Sequence, residues 1–430
     1  PSMATIHTAA PPAGTHQNSN QALTVLTSLF FMMGFITCMN DILVPHLKEV
    51  FSLNYAQALL VQFCFFTAYA ITSIPFGKFI SRLGYKNGVI GGFLIAATGC
   101  LLFYPAAGSK SYPIFLGALF ILASGVTLLQ VSGNPYVTLL SPPGKEARTL
   151  TLVQAFNSLG TTVAPSIGAL FILSTEIISA DQQKTMSAAD LAKYQAGQAA
   201  SVQEPYLILA GILILLAITV FFIRLPAAEK IAQEVSAHAH DERTGAWQYR
   251  HLKLGTLGIF CYVGAEVAIG SLLVSVMGLQ EVAGLKEATA AHYLTYYWGG
   301  AMVGRFLGSY LLNIIQPGVY LSFNALMNVL LISLAIAQGG HVAMYSLLAC
   351  GFFNSIMFPT IFSLATRGLG RHTSQASGML ATAIVGGAIV PLFQGVVADT
   401  VGLLPSFWVA AACYCYIVYF GLFGHRVTDH

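Results

Sequence analysis

Charge is what this chain has least of. Only 8% of its 430 residues are Asp, Glu, Lys or Arg, where water-soluble domains carry about 25%. A shortage of that depth excludes a surface wetted on all sides, and the mean hydropathy of +0.72 points to lipid as the surrounding solvent. The net charge of +3 is small and dispersed, so no nucleic-acid partner is expected. The first twenty residues hold no Lys or Arg ahead of an apolar core, and no cleavable leader is read there.

The motifs of soluble catalysis are missing too. The cysteines (Cys38, Cys64, Cys100, Cys261, Cys350, Cys413, Cys415) lie in apolar stretches without a CxxC pair, and read as small buried hydrophobes. Pro143-Gly144-Lys145-Glu146 lacks the upstream glycine and the Ser/Thr of a phosphate loop, which excludes that route to ATP. The histidines sit at the chain ends, in loops or near segment edges with no metal-ligand spacing. With no activated nucleophile or paired acids on a fixed loop, neither an enzyme nor a bound cofactor or metal is expected.

Apolar runs of about twenty residues, each long enough to span a bilayer, are abundant. Twelve segments emerge, near 22–46, 55–80, 87–107, 112–140, 148–173, 205–224, 252–278, 290–314, 318–338, 341–365, 375–398 and 403–424. They divide the chain into a polar tail (1–21), a six-helix bundle (22–224), a charged linker (225–251) and a second six-helix bundle (252–424). The fold class is therefore an all-α membrane protein. Cationic residues, Arg305 among them, divide fourteen to five between alternate loops and helix ends, which puts both termini in the cytoplasm. The longest outer loop, 174–204, reads as a solvated cap with a helix-like stretch from Ser187 to Ala200.

Six and six invite a search for a repeat. A shift of about 224 residues sets Asn134-Pro135-Tyr136 against Phe358-Pro359-Thr360 and Gln130 on Asn354, and it brings Asp41 near Glu266 and Arg82 beside Arg305. The matches favour two pseudo-symmetric six-helix bundles. They also pair the acids deep in the first and seventh segments. Ionisable groups inside hydrocarbon cost several kcal/mol and persist mainly where they work. Asp41, in Met39-Asn40-Asp41-Ile42, and Glu266 are functional candidates on that ground.

The loop Gly77-Lys78-Phe79-Ile80-Ser81-Arg82-Leu83-Gly84-Tyr85-Lys86 resembles the inner-loop signature of the major facilitator superfamily, with Gly77, Arg82, Gly84 and Lys86 in place and Ser81 where Asp is usual. Leu128-Leu129-Gln130-Val131-Ser132-Gly133-Asn134-Pro135-Tyr136-Val137 and Leu152-Val153-Gln154-Ala155-Phe156-Asn157-Ser158-Leu159-Gly160, with Asn40-Asp41 upstream, are more specific. They resemble the fucose–glucose–galactose cation symporter family, in particular its glucose/galactose branch. The resemblance implies a twelve-helix major facilitator fold and hexose import in the bacterial inner membrane by alternating access. By position it makes Asp41 the coupling carboxylate and Gln154 and Asn157 sugar contacts. The fucose branch has an acid where this chain has Gln130, and an amide where it has Glu266.

The residue chemistry bears on sugar independently. Amides donate and accept, as hydroxyl recognition requires. Gln154 and Asn157, three apart, share a helical face. Gln62, Gln130, Asn354 and Gln394 are further amides inside apolar segments, which could instead join helices to one another. Trp298, in Tyr296-Tyr297-Trp298, and Tyr262 are candidate stacking platforms, with lipid-facing aromatics the alternative. Burial favours the neutral form of a carboxyl group in general, which suits Asp41 and Glu266 to carry H+; oxygen ligation of Na+ stays open. The expected protein is a monomeric hexose symporter in a lipid bilayer. An exporter of drugs or lipids with the same fold, or a membrane-embedded enzyme, is the alternative.

Overall fold

The computed structural model describes residues 22–36, 38, 55–109, 111–172, 185–223 and 245–427. Asp41, the tail 1–21 and most of the linker lie outside the described residues. Among the described residues all regular structure is helical. Six helices precede the linker: α1 (Ala22–Ile36), α2 (Tyr55–Leu83), α3 (Tyr85–Ser109), α4 (Tyr112–Leu140), α5 (Glu146–Ile172) and α6 (Ala188–Phe222). Six follow it: α7 (Arg250–Gly278), α8 (Glu287–Leu311), α9 (Pro317–Gln338), α10 (Gly340–Ala365), α11 (Gly370–Val401) and α12 (Pro405–Gly424). Among the described residues nine of these are long and apolar enough to cross a membrane, α1, α5 and α8 being the others. α5 and α8 carry Gln154, Asn157, Ser158 and Arg305, polar groups that lipid disfavours and that a bundle interior can accommodate.

The helix-like stretch predicted in the outer loop is continuous with the sixth segment. Ser187 starts α6: its Oγ accepts from the Asp190 amide at 3.2 Å and donates to Asp190 Oδ2 at 2.6 Å, a capping exchange that satisfies an N-terminal donor. At the other end of α6, Lys86 Nζ donates to the carbonyls of Phe221 and Ile223, both at 2.9 Å. The cation thereby serves carbonyls that helix geometry leaves without partners. Gly84, at φ 87°, turns the chain between α2 and α3 in the left-handed region that glycine tolerates. Arg82 is exposed beside it.

The first six helices meet the last six along α2–α11 and α5–α8, with α4–α11 and α5–α10 adding contacts. Where α2 crosses α11, a Cβ on Gly77 would stand 2.7 Å from the Ser374 carbonyl, and one on Gly378 would stand 2.6 Å from that of Ser73. Small residues let the two backbones touch, and in lipid that close packing drives association. Phe156 meets Phe306 edge-on across α5–α8 with ring centroids 5.7 Å apart. On one face, a cleft of about 500 Å³ opens among Gly144, Glu146, Gln316, Arg367, His425 and Arg426.

Candidate functional site

Two polar clusters lie in the apolar interior. The first belongs to α2, α4 and α5. Gln154 Nε2 donates to Asn134 Oδ1 at 3.0 Å, and Asn134 Nδ2 donates to Gln130 Oε1 at 3.2 Å. Tyr69 of α2 reaches the Gln130 side chain. Asn157, one helical turn along from Gln154, donates from Nδ2 to the Phe30 carbonyl of α1 at 2.8 Å. The cluster is neutral throughout, and an amide chain with spare acceptors can exchange hydrogen bonds with hydroxyls. Asn134, which the sequence offered only as part of a motif, is its central member.

The second cluster belongs to α7–α10 and α12. Asn354 is fully buried. Its Nδ2 donates to Tyr297 Oη at 2.8 Å, while Oδ1 accepts from Tyr414 Oη at 2.6 Å and from Asn328 Nδ2 at 2.8 Å. Tyr297 Oη in turn donates to the Glu266 carbonyl at 3.1 Å. Asn354, expected among the sugar contacts, thus has both amide atoms engaged inside the protein and sits at the centre of this cluster. A buried amide is held by other polar groups because leaving it unpaired is costly.

Glu266 is half-buried, and its Oε1 is sealed from solvent without a hydrogen bond among the described residues. The Tyr262 hydroxyl is sealed in the same way, and both groups lie within electrostatic reach of the Arg305 guanidinium. A counter-charge offsets the desolvation of a carboxylate in such a place. Trp298 is half-exposed, standing over Gly270 of α7 and edge-on to Tyr297, with centroids 5.1 Å apart.

Arg305 requires a correction. The sequence counted it among the charges of inner loops and helix ends. The structure puts it between the two six-helix groups, with Nε donating to the Ser355 carbonyl at 3.1 Å and Nη1 donating to Ser158 Oγ of α5. It is half-buried there. The signal was present, since Arg305 falls within the segment 290–314 and not at its edge. Ser158 follows Asn157 directly and donates to the Gln154 carbonyl at 3.1 Å, so the neutral and the charged cluster meet at the Ser158–Arg305 contact.

Residues 25–391 match the family described as Major Facilitator Superfamily. The chain is similar to the glucose/galactose transporter of Brucella abortus biovar 1 (strain 9-941), at 53% identity over 96% of both chains. It is similar to the L-fucose-proton symporter of Escherichia coli (strain K12), at 35% identity over 94% of this chain and 93% of that one. Among solved structures it is similar to a major facilitator superfamily transporter, FucP, in the outward conformation, with 34% identity and a TM-score of 0.87, covering 96% of this chain and all of that one.

Proposed function

The chain belongs to the Major Facilitator Superfamily, and we propose that it imports glucose or galactose together with H+ by alternating access of its two six-helix groups. The observation that carries this reading is the meeting of a neutral amide cluster with a charged one at the interface between those groups. The sugar binds against Gln154, Asn157 and Gln130, with Trp298 and Tyr262 offering ring faces from the other side. Glu266 and Asp41 carry the proton. The glucose/galactose and proton assignments follow the names of the relatives described above.

Amides recognise neutral hydroxyls without adding charge to the cavity, so sugar and ion occupy separate chemistries that a single movement of the helices can couple. Both termini lie in the cytoplasm and the protein acts as a monomer in the inner membrane of a bacterium. The cleft face, where the basic residues Arg367 and Arg426 gather, is then the inner face.

Vesicles containing the purified protein, offered a panel of labelled sugars with pH and Na+ gradients imposed separately, test the proposal. Uphill accumulation of glucose or galactose under an inward proton gradient alone is the expected result. Accumulation driven by Na+ alone would overturn the ion assignment, and transport of neither sugar would overturn the substrate.

A further inference from the structure

Two prolines stand 224 residues apart, Pro135 in α4 and Pro359 in α10. Proline has no N–H to donate, so inside a helix it leaves the carbonyl four residues earlier without its partner. Those carbonyls belong to Val131 and Ser355, and each is taken by a side chain from another helix. Ser377 Oγ of α11 donates to the Val131 carbonyl at 2.9 Å. Arg305 Nε of α8 donates to the Ser355 carbonyl at 3.1 Å. The first contact joins the two six-helix groups directly. The second joins them through the other end of the same guanidinium, which donates to Ser158 of α5. Ser377 and Val131 are both fully buried, so solvent does not compete for that bond. At the cleft face the same two groups meet again, Lys145 Nζ donating to Asn313 Oδ1 at 3.4 Å.

We propose that the two proline-opened carbonyls anchor a latch that closes the six-helix groups against each other on the cleft face, and that Arg305 makes one arm of it respond to the charge on Glu266. A carbonyl released by proline is a strong acceptor with no competing helical donor, so the bond that closes the latch can break without unravelling a helix. The groups that face Glu266 are Tyr262, Tyr297, Tyr414 and Arg305, and Arg305 is the charged one among the described residues. An ionised Glu266 draws the guanidinium toward α7 and away from Ser158. A neutral Glu266 leaves it on Ser158. Arg305 is a positioning residue in this scheme, since it touches neither sugar nor the moving proton. The Arg305 arm rests on the reading of Glu266 as a coupling acid; the latch itself does not.

The test places spin labels at positions 145 and 313 through unnatural amino acids, leaving the native cysteines intact. The distance distribution is then measured in lipid nanodiscs without sugar. Ser377→Ala and Ser158→Ala each lower the ratio of closed to open populations about fivefold, the size of one hydrogen bond's net contribution. Pro135→Ala, which returns an N–H to the Val131 carbonyl, has the same direction of effect. Glu266→Gln raises the ratio in the wild-type background and leaves it unmoved in the Ser158→Ala background. A ratio unchanged in both Ser377→Ala and Ser158→Ala overturns the latch. An equal response to Glu266→Gln in both backgrounds overturns the Arg305 arm. Because no sugar is present, failure of the transport assignment cannot produce either result.

Discussion

Asn354 and Asn157 are the same residue type in apolar helices, and their surroundings give them opposite work. Asn354 satisfies Tyr297, Tyr414 and Asn328 at once. Asn354→Ala leaves those buried groups short of partners, and a loss of at least about 1–3 kcal/mol in stability is expected. Thermal unfolding in detergent measures it; a normal melt combined with lost sugar binding would return Asn354 to the substrate contacts. Among the described residues Asn157 uses its Nδ2 alone, on the Phe30 carbonyl of α1. Asn157→Ala is expected to weaken sugar binding by about 1–3 kcal/mol while leaving the melt close to wild type. Unchanged affinity in the folded variant would contradict it. The sequence made these amides conspicuous, because polar residues stand out in apolar runs. It did not separate the two roles, which depend on buried tyrosines such as Tyr297 and Tyr414 that look like ordinary core residues in one dimension. Arg305 was grouped with loop and helix-end charges for a related reason: a cation inside a segment is told from a boundary charge only once the neighbouring helices are in place.

The crossing of α1 and α5 shows what helices require of one another. A Cβ on Gly34 would stand 2.1 Å from the Asn157 carbonyl, and one on Gly160 would stand 2.2 Å from that of Phe31. Neither backbone atom can retreat into a rotamer. Gly160→Ala should therefore separate the helices at a cost of about 1–3 kcal/mol, seen as a lowered melting temperature and reduced transport. Gly211→Ala in α6, where nothing lies within 4 Å of the added atom, is the control and should leave both unchanged or raise stability slightly. Equal effects from the two substitutions would refute this account of the crossing. The twelve apolar runs were legible because hydrocarbon thickness imposes a length on each helix. The interruption of α10 between Asn354 and Met357 was not. The break falls at Ser355 and Ile356, and one serine after Asn354 does not by its composition announce a change of backbone. Pro359 marked the place, yet which donor takes the freed Ser355 carbonyl is decided by α8, far away in the chain.

At the scale of the whole molecule, the described parts of the two six-helix groups are joined by specific contacts, Ser377 on Val131, Arg305 on Ser158 and Lys145 on Asn313, and by close glycine packing where α2 crosses α11. That arrangement lets them rock as bodies around a site at their interface, as secondary transporters do. Pro135 and Pro359 fall in register under the shift of about 224 residues, which supports a pseudo-two-fold relation between 22–224 and 252–424. We propose, as the central claim, that carboxyl groups within the apolar segments couple sugar movement to protons. Neutralising such a group should abolish accumulation driven by a gradient and spare exchange, which moves no net charge. Counterflow and uphill uptake of glucose or galactose, measured side by side in the same vesicles for Asp41→Asn and Glu266→Gln, test it most directly. The account predicts that Asp41→Asn retains counterflow and loses uphill uptake, and that Glu266→Gln shows the same split or a loss of sugar affinity. Sugar still concentrated against its gradient by both variants would contradict it.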